Sequence, residues 1–257
     1  MQIFVKENAE EMGRFAAEKA ACLLNEAIAQ RGEARLILAT GESQFEVVKA
    51  LRQAHVDWTK VTMFHLDEYV GLPESHPASF RRYLKERFAD HLHLKGAYFV
   101  NGEGDVKDNI AQLTACLRKA RIDVAMIGIG ENAHIAFNDP PADFDTQEAY
   151  IVVDLDERCR LQQVGEGWFA SFEDVPKQAI SMTVSQIMDA RSIICSVPGE
   201  KKIKAVHDML TSRDVTSSIP ATILRNHEAC WLVLDERSAS GTPAPYLNQE
   251  CGGNRHD

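Results

Sequence analysis

The sequence lacks any long apolar run and any excess of positive charge. Charged side chains interrupt its first 30 residues, and no stretch approaches the roughly 18 uninterrupted apolar residues that a membrane span requires. Acidic residues outnumber basic ones by 38 to 28, for a formal net charge of −10. Nucleic acids and anionic membranes both need a clustered positive surface, so this balance argues against either as a partner. We expect a cytoplasmic protein with no signal peptide or anchor.

Cysteine is also sparse. The six cysteines, at positions 22, 116, 159, 195, 230 and 251, include no Cys-x-x-Cys pair, and several lie inside apolar runs. We therefore expect reduced, buried thiols. Zinc sites favour closely spaced thiolates or imidazoles, and only His91 and His93 are near neighbours. The sequence therefore predicts no metal site.

Internal repeats, low-complexity tracts and Pro/Ser-rich linkers are absent from the sequence as well. We therefore predict one domain over residues 1–238 and a C-terminal tail over residues 239–257. Within the domain, short β-branched or aromatic runs alternate with helical patterns. The predicted strands are Gln2–Val5, Arg35–Ala39, Val61–His65, Ala97–Asn101, Ile122–Ile127, Tyr150–Val153, Ser192–Val197 and Cys230–Leu234.

The apolar runs indicate how these strands are arranged. A run such as Val124-Ala125-Met126-Ile127 does not alternate with polar residues, which is the pattern of a strand covered on both faces. This predicts an α/β fold with a mostly parallel sheet wrapped by helices and right-handed crossovers. Ligands of such sheets bind beyond the carboxyl ends of the strands, so the loops that directly follow the strands are the candidate sites.

The loop after Arg35–Ala39 reads Thr40-Gly41-Glu42-Ser43-Gln44 and leads into a predicted helix over Phe45–Ala54. A glycine and two hydroxyls at a helix start can present N–H and O–H donors to a phosphate, helped by the helix dipole. An ordinary helix N-cap uses the same residue types, so this alternative stays open. Glu42 argues against a phosphate unless its carboxylate points away.

Two consecutive carboxylates, Asp67 and Glu68, follow the strand Val61–His65 and stand between Leu66 and Tyr69. A carboxylate at the mouth of a sheet can move a proton at carbon when partial desolvation raises its pKa. The alternative is a solvated acidic turn. The apolar flanks, and the following loop rich in Gly, Pro and His, favour the catalytic interpretation.

The loop after Ile122–Ile127 contains Gly130 and His134. Glycine permits close approach of backbone to a ligand, and histidine is the side chain best suited to exchange protons near neutral pH. A lone histidine is more often structural. Here Asn132 and Asp139 stand two residues before and five residues after His134, where they can fix its tautomer and raise its basicity if the loop folds back.

Together these segments resemble the glucosamine-6-phosphate deaminase family, whose members share a fold with the 6-phosphogluconolactonases. The similarity lies in Leu-Asp-Glu-Tyr-Val-Gly-Leu-Pro at residues 66–73 and in residues 130–140, which contain His134-Ile135-Ala136-Phe137-Asn138. It continues through residues 179–183, 199–202 and 220–222, so it spans nearly the whole chain. The resemblance implies a three-layer, modified Rossmann-like domain that needs no cofactor.

The resemblance also implies a reaction on a small-molecule sugar phosphate. An amino-hexose 6-phosphate is opened and isomerised to a ketohexose 6-phosphate, and ammonia is released. In that scheme Asp67 is the base that moves a proton between C2 and C1. His134 opens the sugar ring by protonating the ring oxygen, and its neighbours tune its charge.

The same resemblance implies how the phosphate is held. Thr40, Gly41 and Ser43 would contact it, and Lys202 would supply the fixed positive charge that an acidic protein otherwise lacks. Arg160 is a second candidate for that charge. Arg158 competes with Arg160 for the role, because the segment over residues 156–169 does not align without an insertion.

The sequence departs from the family pattern around His134. Asn132 stands where an aspartate is usual, and Asp139 where a glutamate is usual. An amide carries no negative charge to stabilise an imidazolium, so we expect His134 to be less readily protonated. Ala133 replaces the usual glycine, and Glu42-Ser43-Gln44 replaces a Gly-Thr-Pro type of phosphate loop.

Two other functions remain alternatives. A lactone hydrolase of the 6-phosphogluconolactonase type needs a histidine base but no carboxylate for C2, so Asp67-Glu68-Tyr69 favours the deaminase. A non-catalytic sugar-phosphate sensor would bind the ligand tightly without turnover, and the sequence is compatible with it. The sequence also leaves a homo-oligomer open.

Overall fold

The computed structural model describes residues 1–155, 157–165 and 167–247 of the 257-residue chain. The side chains of Arg158 and Cys159, and the end of the predicted tail with Cys251, lie outside the described part. The strands are β1 Gln2–Lys6, β2 Ala34–Leu38, β3 Val61–His65, β4 Asp67–Tyr69, β5 Gly96–Tyr98, β6 Val124–Ile127, β7 Tyr150–Asp154, β8 Gln178–Met182, β9 Ser192–Val197 and β10 Cys230–Asp235. The helices are α1 Ala9–Arg31, α2 Phe45–Arg52, α3 Phe80–Arg87, α4 Val106–Leu117, α5 Glu157–Gly165, α6 Val184–Met188, α7 Ile203–Thr211, α8 Glu236–Ala239 and α9 Ala244–Leu247.

Seven strands form a central sheet in the order β1-β10-β9-β6-β2-β3-β5, and all neighbouring pairs are parallel. Both faces are covered. In β2, for example, Leu36 and Leu38 join one hydrophobic cluster while Ile37 joins another on the opposite face. Because a sheet buried on both faces needs apolar residues at every position, its strands read as unbroken apolar runs. The predicted fold is confirmed.

The first helix shows why these layers form where they do. Asn8 caps α1 by accepting a hydrogen bond from the Glu11 amide at 3.0 Å, and Gly32 ends it at φ 80°, donating its own amide to Ile28. Between these caps, Met12, Ala16, Ala20, Leu24 and Ala27 recur every three or four residues and are buried. Helices α1 and α2 pack against each other on one face of the sheet.

A second, three-stranded antiparallel sheet, β4-β8-β7, stands beside the central one and was not predicted. It corrects the prediction that Asp67 and Glu68 lie in a loop, because both belong to β4. The predicted strand at Tyr150 is present, but as β7 in this smaller sheet. Such short strands are specified by their pairing with β8, which local sequence does not reveal.

The thiols follow the sequence prediction only in part. Cys195 and Cys230 are buried and unpaired, as expected, whereas Cys22 is exposed and Cys116 is partly exposed. Cys22 lies on the outer face of α1, where its thiol contacts Glu26 at 3.3 Å. Within residues 1–155, 157–165 and 167–247, no helix combines the length and the apolar character needed to cross a membrane.

The domain boundary at residue 238 stays a prediction. On its far side, Ala239 and Thr242 are buried, and Leu247 packs on the main hydrophobic cluster. Gly241 lies so close to α7 that a β-carbon there would come within 2.3 Å of Ile203. The chain therefore stays in contact with the sheet layers up to the end of α9.

Candidate active site

Loops after the carboxyl ends of the central strands surround one cleft with about 1100 Å³ of empty space, its open mouth included. The structure brings together at this cleft most of the predicted site residues, which come from four separate segments. These are Thr40, Gly41, Glu42, Ser43, Asp67, Gly130, His134 and Lys202. Parallel strands bring these segments together because their carboxyl ends meet at one edge.

Two of the loops share one backbone design. Gly41 (φ 93°, ψ 169°) precedes a 3-10 turn over Glu42–Gln44, and Gly199 (φ 87°, ψ 157°) precedes a 3-10 turn over Glu200–Lys202. In each case the turn runs directly into a longer helix, α2 or α7. Only glycine adopts such a φ, ψ pair without strain, so each loop needs its glycine. Phe45, the first residue of α2, and Lys201 and Lys202 of the second turn line the cleft.

The side chains in these two turns differ in charge. The first contributes the Ser43 hydroxyl and the Glu42 carboxylate to the cleft, and the second contributes Lys201 and Lys202. A phosphate at this position would meet O–H and N–H donors from one turn and cations from the other. Glu42 stays a substrate-binding prediction, and its carboxylate must turn away from an anion bound there.

Gln44 is the last residue of the first turn and was not singled out from the sequence. Its side chain is fully buried. Its side-chain amide nitrogen lies 3.2 Å from the Ser43 hydroxyl oxygen and 3.3 Å from the Ile127 carbonyl at the end of β6. Gly128 makes room for this contact, because a β-carbon there would come within 2.8 Å of Ser43 Oγ. Since the amide can only donate, Ser43 keeps its own proton to donate into the cleft.

Asp67 faces the cleft from β4 and is only 7 % exposed. Burial, with a smaller contribution from the neighbouring Glu68 carboxylate, raises the pKa of Asp67 to about 8. Once ionised, a carboxylate with such a pKa binds a proton much more strongly than an ordinary aspartate does, which is the property that a base needs.

Glu68 does not share this position, which corrects its assignment as a catalytic residue. Consecutive side chains of a strand point to opposite faces, so Glu68 turns away from the cleft when Asp67 faces it. The Glu68 carboxylate accepts hydrogen bonds from the Ser79 hydroxyl at 2.8 Å and from the Arg81 and Tyr69 amides, each at 2.9 Å. Glu68 thereby fixes the start of α3.

His134 and its neighbours form a connected group. Asp139 Oδ1 lies 2.9 Å from His134 Nδ1 and also accepts a hydrogen bond from Asn132 Nδ2 at 2.9 Å. Asn132 Oδ1 in turn accepts from the His134 amide at 3.2 Å. Burial raises the pKa of Asp139, but the hydrogen bonds and charge of His134 and the bond from Asn132 outweigh it and leave that pKa lowered. The predicted fold-back of the loop is present.

The backbone of this loop is shaped around the imidazole. A β-carbon at Gly130 would lie 2.3 Å from atoms of the His134 ring, so glycine is required there by the histidine itself. Ala133 and Ala136 adopt the left-handed region at φ 64° and 53°. Residues with a β-carbon pay a conformational cost there, and such strain is often retained at functional sites. Ala133 is the position where the family usually has glycine.

Arg160 was predicted to contact the phosphate, but the structure places its side chain away from the cleft. Its guanidinium is buried, donates to the Phe172 and Val175 carbonyls at 2.7 and 3.0 Å, and stacks over the Phe172 ring. It is not among the residues that line the cleft. Arg160 holds together the segment after α5, while the side chain of its competitor Arg158 lies outside the described residues.

Several cleft residues were missed by the sequence analysis. Gln163 and Trp168 reach the cleft from α5 and the turn after it, and Tyr83 reaches it from α3. The Tyr69 hydroxyl donates to Gln163 at 2.8 Å, which ties α5 to β4. No linear motif marks these residues, because they come from helices folded over the cleft and not from loops that follow strands.

Comparison with known proteins agrees with this geometry. The family described as glucosamine-6-phosphate isomerases/6-phosphogluconolactonase matches residues 7–232. The chain is 36% identical over 241 residues to the glucosamine-6-phosphate deaminase of Streptococcus uberis, covering 93% of this chain and 99% of that protein. It is 35% identical over 244 residues to the Streptococcus pneumoniae protein of the same name, covering 93% and 98%.

Solved structures share the fold. A monomeric glucosamine-6-phosphate deaminase, described as a missing link of the NagB superfamily, aligns with a TM-score of 0.85 and 28% identity over 94% of this chain and all of that chain. A 6-phosphogluconolactonase from Shewanella baltica aligns with a TM-score of 0.75 but 19% identity, covering 91% and 97%, which is a likeness of fold alone. The chain belongs to the glucosamine-6-phosphate isomerase/6-phosphogluconolactonase family.

Proposed function

We propose that the protein is a deaminase/isomerase that converts glucosamine 6-phosphate, or a close amino-hexose 6-phosphate, into a ketohexose 6-phosphate and ammonia. The observation that carries this proposal is the pairing of two groups in one cleft. Asp67 has a pKa raised to about 8, and His134 has its Nδ1 engaged by the ionised Asp139. A base for carbon and an oriented acid for oxygen are the two groups that such an isomerisation needs.

His134 opens the sugar ring in this proposal. Its Nδ1 is held by Asp139, so Nε2 is the nitrogen left to meet a substrate. The protonated imidazole gives its Nε2 proton to the ring oxygen as the bond between that oxygen and C1 breaks. The C1 hydroxyl gives its proton to solvent water at the same time, which leaves an open-chain aldehyde with the amine on C2.

Asp67 then moves the proton between the two carbons. Its carboxylate removes the C2 proton while the C1 oxygen takes a proton from the substrate ammonium, which forms an enolamine. The protonated Asp67 then gives its proton to C1, which leaves a protonated imine at C2. Water adds to that imine and releases ammonia and the ketose phosphate. A substrate ammonium next to Asp67 lowers the pKa of this carboxyl before the reaction, because a nearby opposite charge favours the ionised form.

The phosphate is assigned to the two glycine turns. Thr40, Gly41 and Ser43 supply neutral donors and Lys202 supplies positive charge, all of them at the same cleft. Charge-assisted hydrogen bonds of this kind are about twice as strong as neutral ones. They also provide the local cationic site that a chain with a net charge of −10 requires.

We also propose that the enzyme works in the cytoplasm. Sugar phosphates are kept inside cells, and the described cysteines are free thiols, as is usual for a reducing compartment. A homo-oligomer stays an open alternative.

The test is to incubate the protein with a panel of 2-amino-hexose 6-phosphates and to measure ammonia and ketose phosphate together. Unphosphorylated glucosamine tests the need for the phosphate, and 6-phosphogluconolactone tests the lactonase alternative. The Asp67→Asn variant serves as the blank. Equimolar ammonia and ketose phosphate support the proposal. Lactone hydrolysis alone, or tight sugar-phosphate binding without turnover, would replace it by one of the alternatives.

A further inference from the structure

Two motifs singled out from the sequence, at residues 130–140 and 179–183, meet in the structure. Ser181 belongs to the second motif, lies in β8 and is fully buried. Its hydroxyl oxygen accepts a hydrogen bond from the Phe137 amide at 3.0 Å and donates its proton to the Met182 carbonyl at 3.1 Å. Ser181 therefore attaches the loop that carries His134, called here the histidine loop (residues 128–141), to the small sheet.

Asn138 makes a second attachment between the same segments. Its side-chain amide nitrogen donates to the Ile135 carbonyl at 2.7 Å and to the Met182 carbonyl at 2.8 Å. The Ser181 hydroxyl oxygen is a third neighbour of this nitrogen, at 3.3 Å. The contact with Ile135 closes the turn in which Ala136 adopts its left-handed φ of 53°. Asn138 thus holds this turn in shape and fastens it to β8 at the same time.

The two attachments lie between the acid and the base of the site. Asp139 directly follows Asn138 and places its Oδ1 2.9 Å from His134 Nδ1. On the other side, Ser181 is paired with Asp67 where β8 runs antiparallel to β4. Directly opposite residues of antiparallel strands have side chains on one face and β-carbons about 4.5–5.5 Å apart. The same serine therefore neighbours the base and fastens the loop that carries the acid.

We propose that Ser181 and Asn138 are positioning residues that set the spacing between the Asp67 carboxylate and the His134 imidazole. Both are buried and neither lines the cleft, so they act through the groups that they hold. The inference rests on the proposed function for the roles of base and acid. Two groups that act on one bound sugar need a fixed spacing, because a misplacement of about 1 Å can cost roughly 100-fold in rate.

The test compares Ser181→Ala with Thr183→Val as a matched control. The first removes the acceptor of the Phe137 amide. The second removes another buried hydroxyl, directly after β8, which donates to the Glu148 carbonyl at 2.7 Å and does not line the cleft. Both variants should lower the Tm, because each loses buried hydrogen bonds. Only Ser181→Ala should lower kcat, by roughly tenfold or more.

The Michaelis constant separates positioning from binding. The Ser181 hydroxyl bonds to the histidine loop and to β8, and not to the glycine turns to which the phosphate is assigned. In Ser181→Ala, the KM for glucosamine 6-phosphate should therefore change by less than about twofold while kcat falls.

A second measurement needs no turnover. Crystal structures of the wild-type protein, Ser181→Ala and Asn138→Leu give the separation of the Asp67 carboxylate from the His134 ring. In the two cleft variants this separation should change by about 0.5 Å or more, which is the tolerance of a working catalytic site. In Thr183→Val it should not change. If no amino sugar phosphate is turned over, the proposed function fails but this comparison still decides the inference.

Two results would overturn the inference. If Ser181→Ala lowers the Tm but keeps the wild-type kcat and the wild-type separation, as expected of Thr183→Val, the hydroxyl has only a structural role. If its KM rises while kcat is unchanged, the hydroxyl supports substrate binding and not the spacing of acid and base. Should Ser181→Ala fail to fold, Ser181→Cys is measured in the same way, since it keeps nearly the same shape with a much weaker acceptor.

Discussion

Asp67 and Asp139 are two aspartates of one site with opposite electrostatic surroundings. Asp67 faces the cleft from a strand, 7 % exposed, and burial with the nearby Glu68 raises its pKa to about 8. Asp139 lies behind His134, and the bonds from His134 and Asn132 leave its pKa lowered although burial acts the other way. The difference lies in the donors that surround each carboxylate and not in the residue type.

This difference assigns the two roles. A carboxyl that is desolvated without compensating donors binds a proton strongly and can act as a base. One that accepts two hydrogen bonds stays ionised and serves to orient and stabilise an imidazolium. The site thus separates a proton-transferring carboxylate from a permanently charged one. The following experiments either break this separation or sharpen it.

The largest expected effect is loss of turnover in Asp67→Asn. The amide keeps the shape of the side chain but cannot accept the C2 proton, so kcat should fall roughly 10²- to 10⁴-fold. Binding should persist, which is measured as the rise in Tm that glucose 6-phosphate produces. Turnover near the wild-type level would remove Asp67 from the mechanism.

The same substitution should stabilise the fold, and by an amount that depends on pH. The pKa of Asp67 is about 8 in the folded protein against a usual value of 3.8, so its stability contribution is fully present below pH 3.8 and is lost as the pH rises through 8. Asp67→Asn removes this loss. Its free energy of unfolding should match the wild type near pH 4 and exceed it by on the order of a few kcal/mol at pH 8. Denaturant titrations at several pH values measure this, and a difference independent of pH would contradict the raised pKa.

The sequence predicted the features that depend on neighbouring residues, and it did not predict those that depend on contacts between distant segments. The central strands were predicted because burial on both faces leaves apolar runs, and the segments that follow them in the sequence supplied Ser43, Asp67 and His134. The role of Glu68 was misassigned because the segment was interpreted as a loop, where the alternation of a strand does not apply. Arg160 and Tyr83 depend on how α3 and α5 fold over the cleft, and no nearby residue in the sequence reports that.

Removing the permanent charge should have a smaller effect than removing the base. In Asp139→Asn, the amide carries no charge to stabilise the imidazolium that gives its proton to the ring oxygen, so kcat/KM should fall. We expect the alkaline limb of the kcat/KM profile to move to lower pH. At pH values above this limb, kcat/KM should fall roughly tenfold for each pH unit of the shift. Profiles of kcat/KM against pH measure the shift. Asp143→Asn, an exposed carboxylate on the following turn, is the control and should leave the profile unchanged.

The smallest effect concerns Asn132, which stands where the family usually has an aspartate. In the structure, Nδ2 of this amide donates a hydrogen bond to Asp139 and thereby helps to keep that carboxylate ionised. In Asn132→Asp, two carboxylates would lie where donor and acceptor are now 2.9 Å apart, and their repulsion favours sharing one proton. At pH values where both are ionised, the added negative charge should stabilise the imidazolium form that the ring-opening step uses.

The two consequences of Asn132→Asp oppose each other, so we expect the alkaline limb of kcat/KM to move up by less than about one pH unit, which is worth at most about 1.4 kcal/mol. Asn132→Ala is the matched variant, because it removes the donor without adding a charge and should move the limb down. Opposite shifts in the two variants would show that the charge at position 132 reaches His134 through Asp139. Superimposable profiles for all three proteins would show that the amide at position 132 has no part in the step that His134 performs.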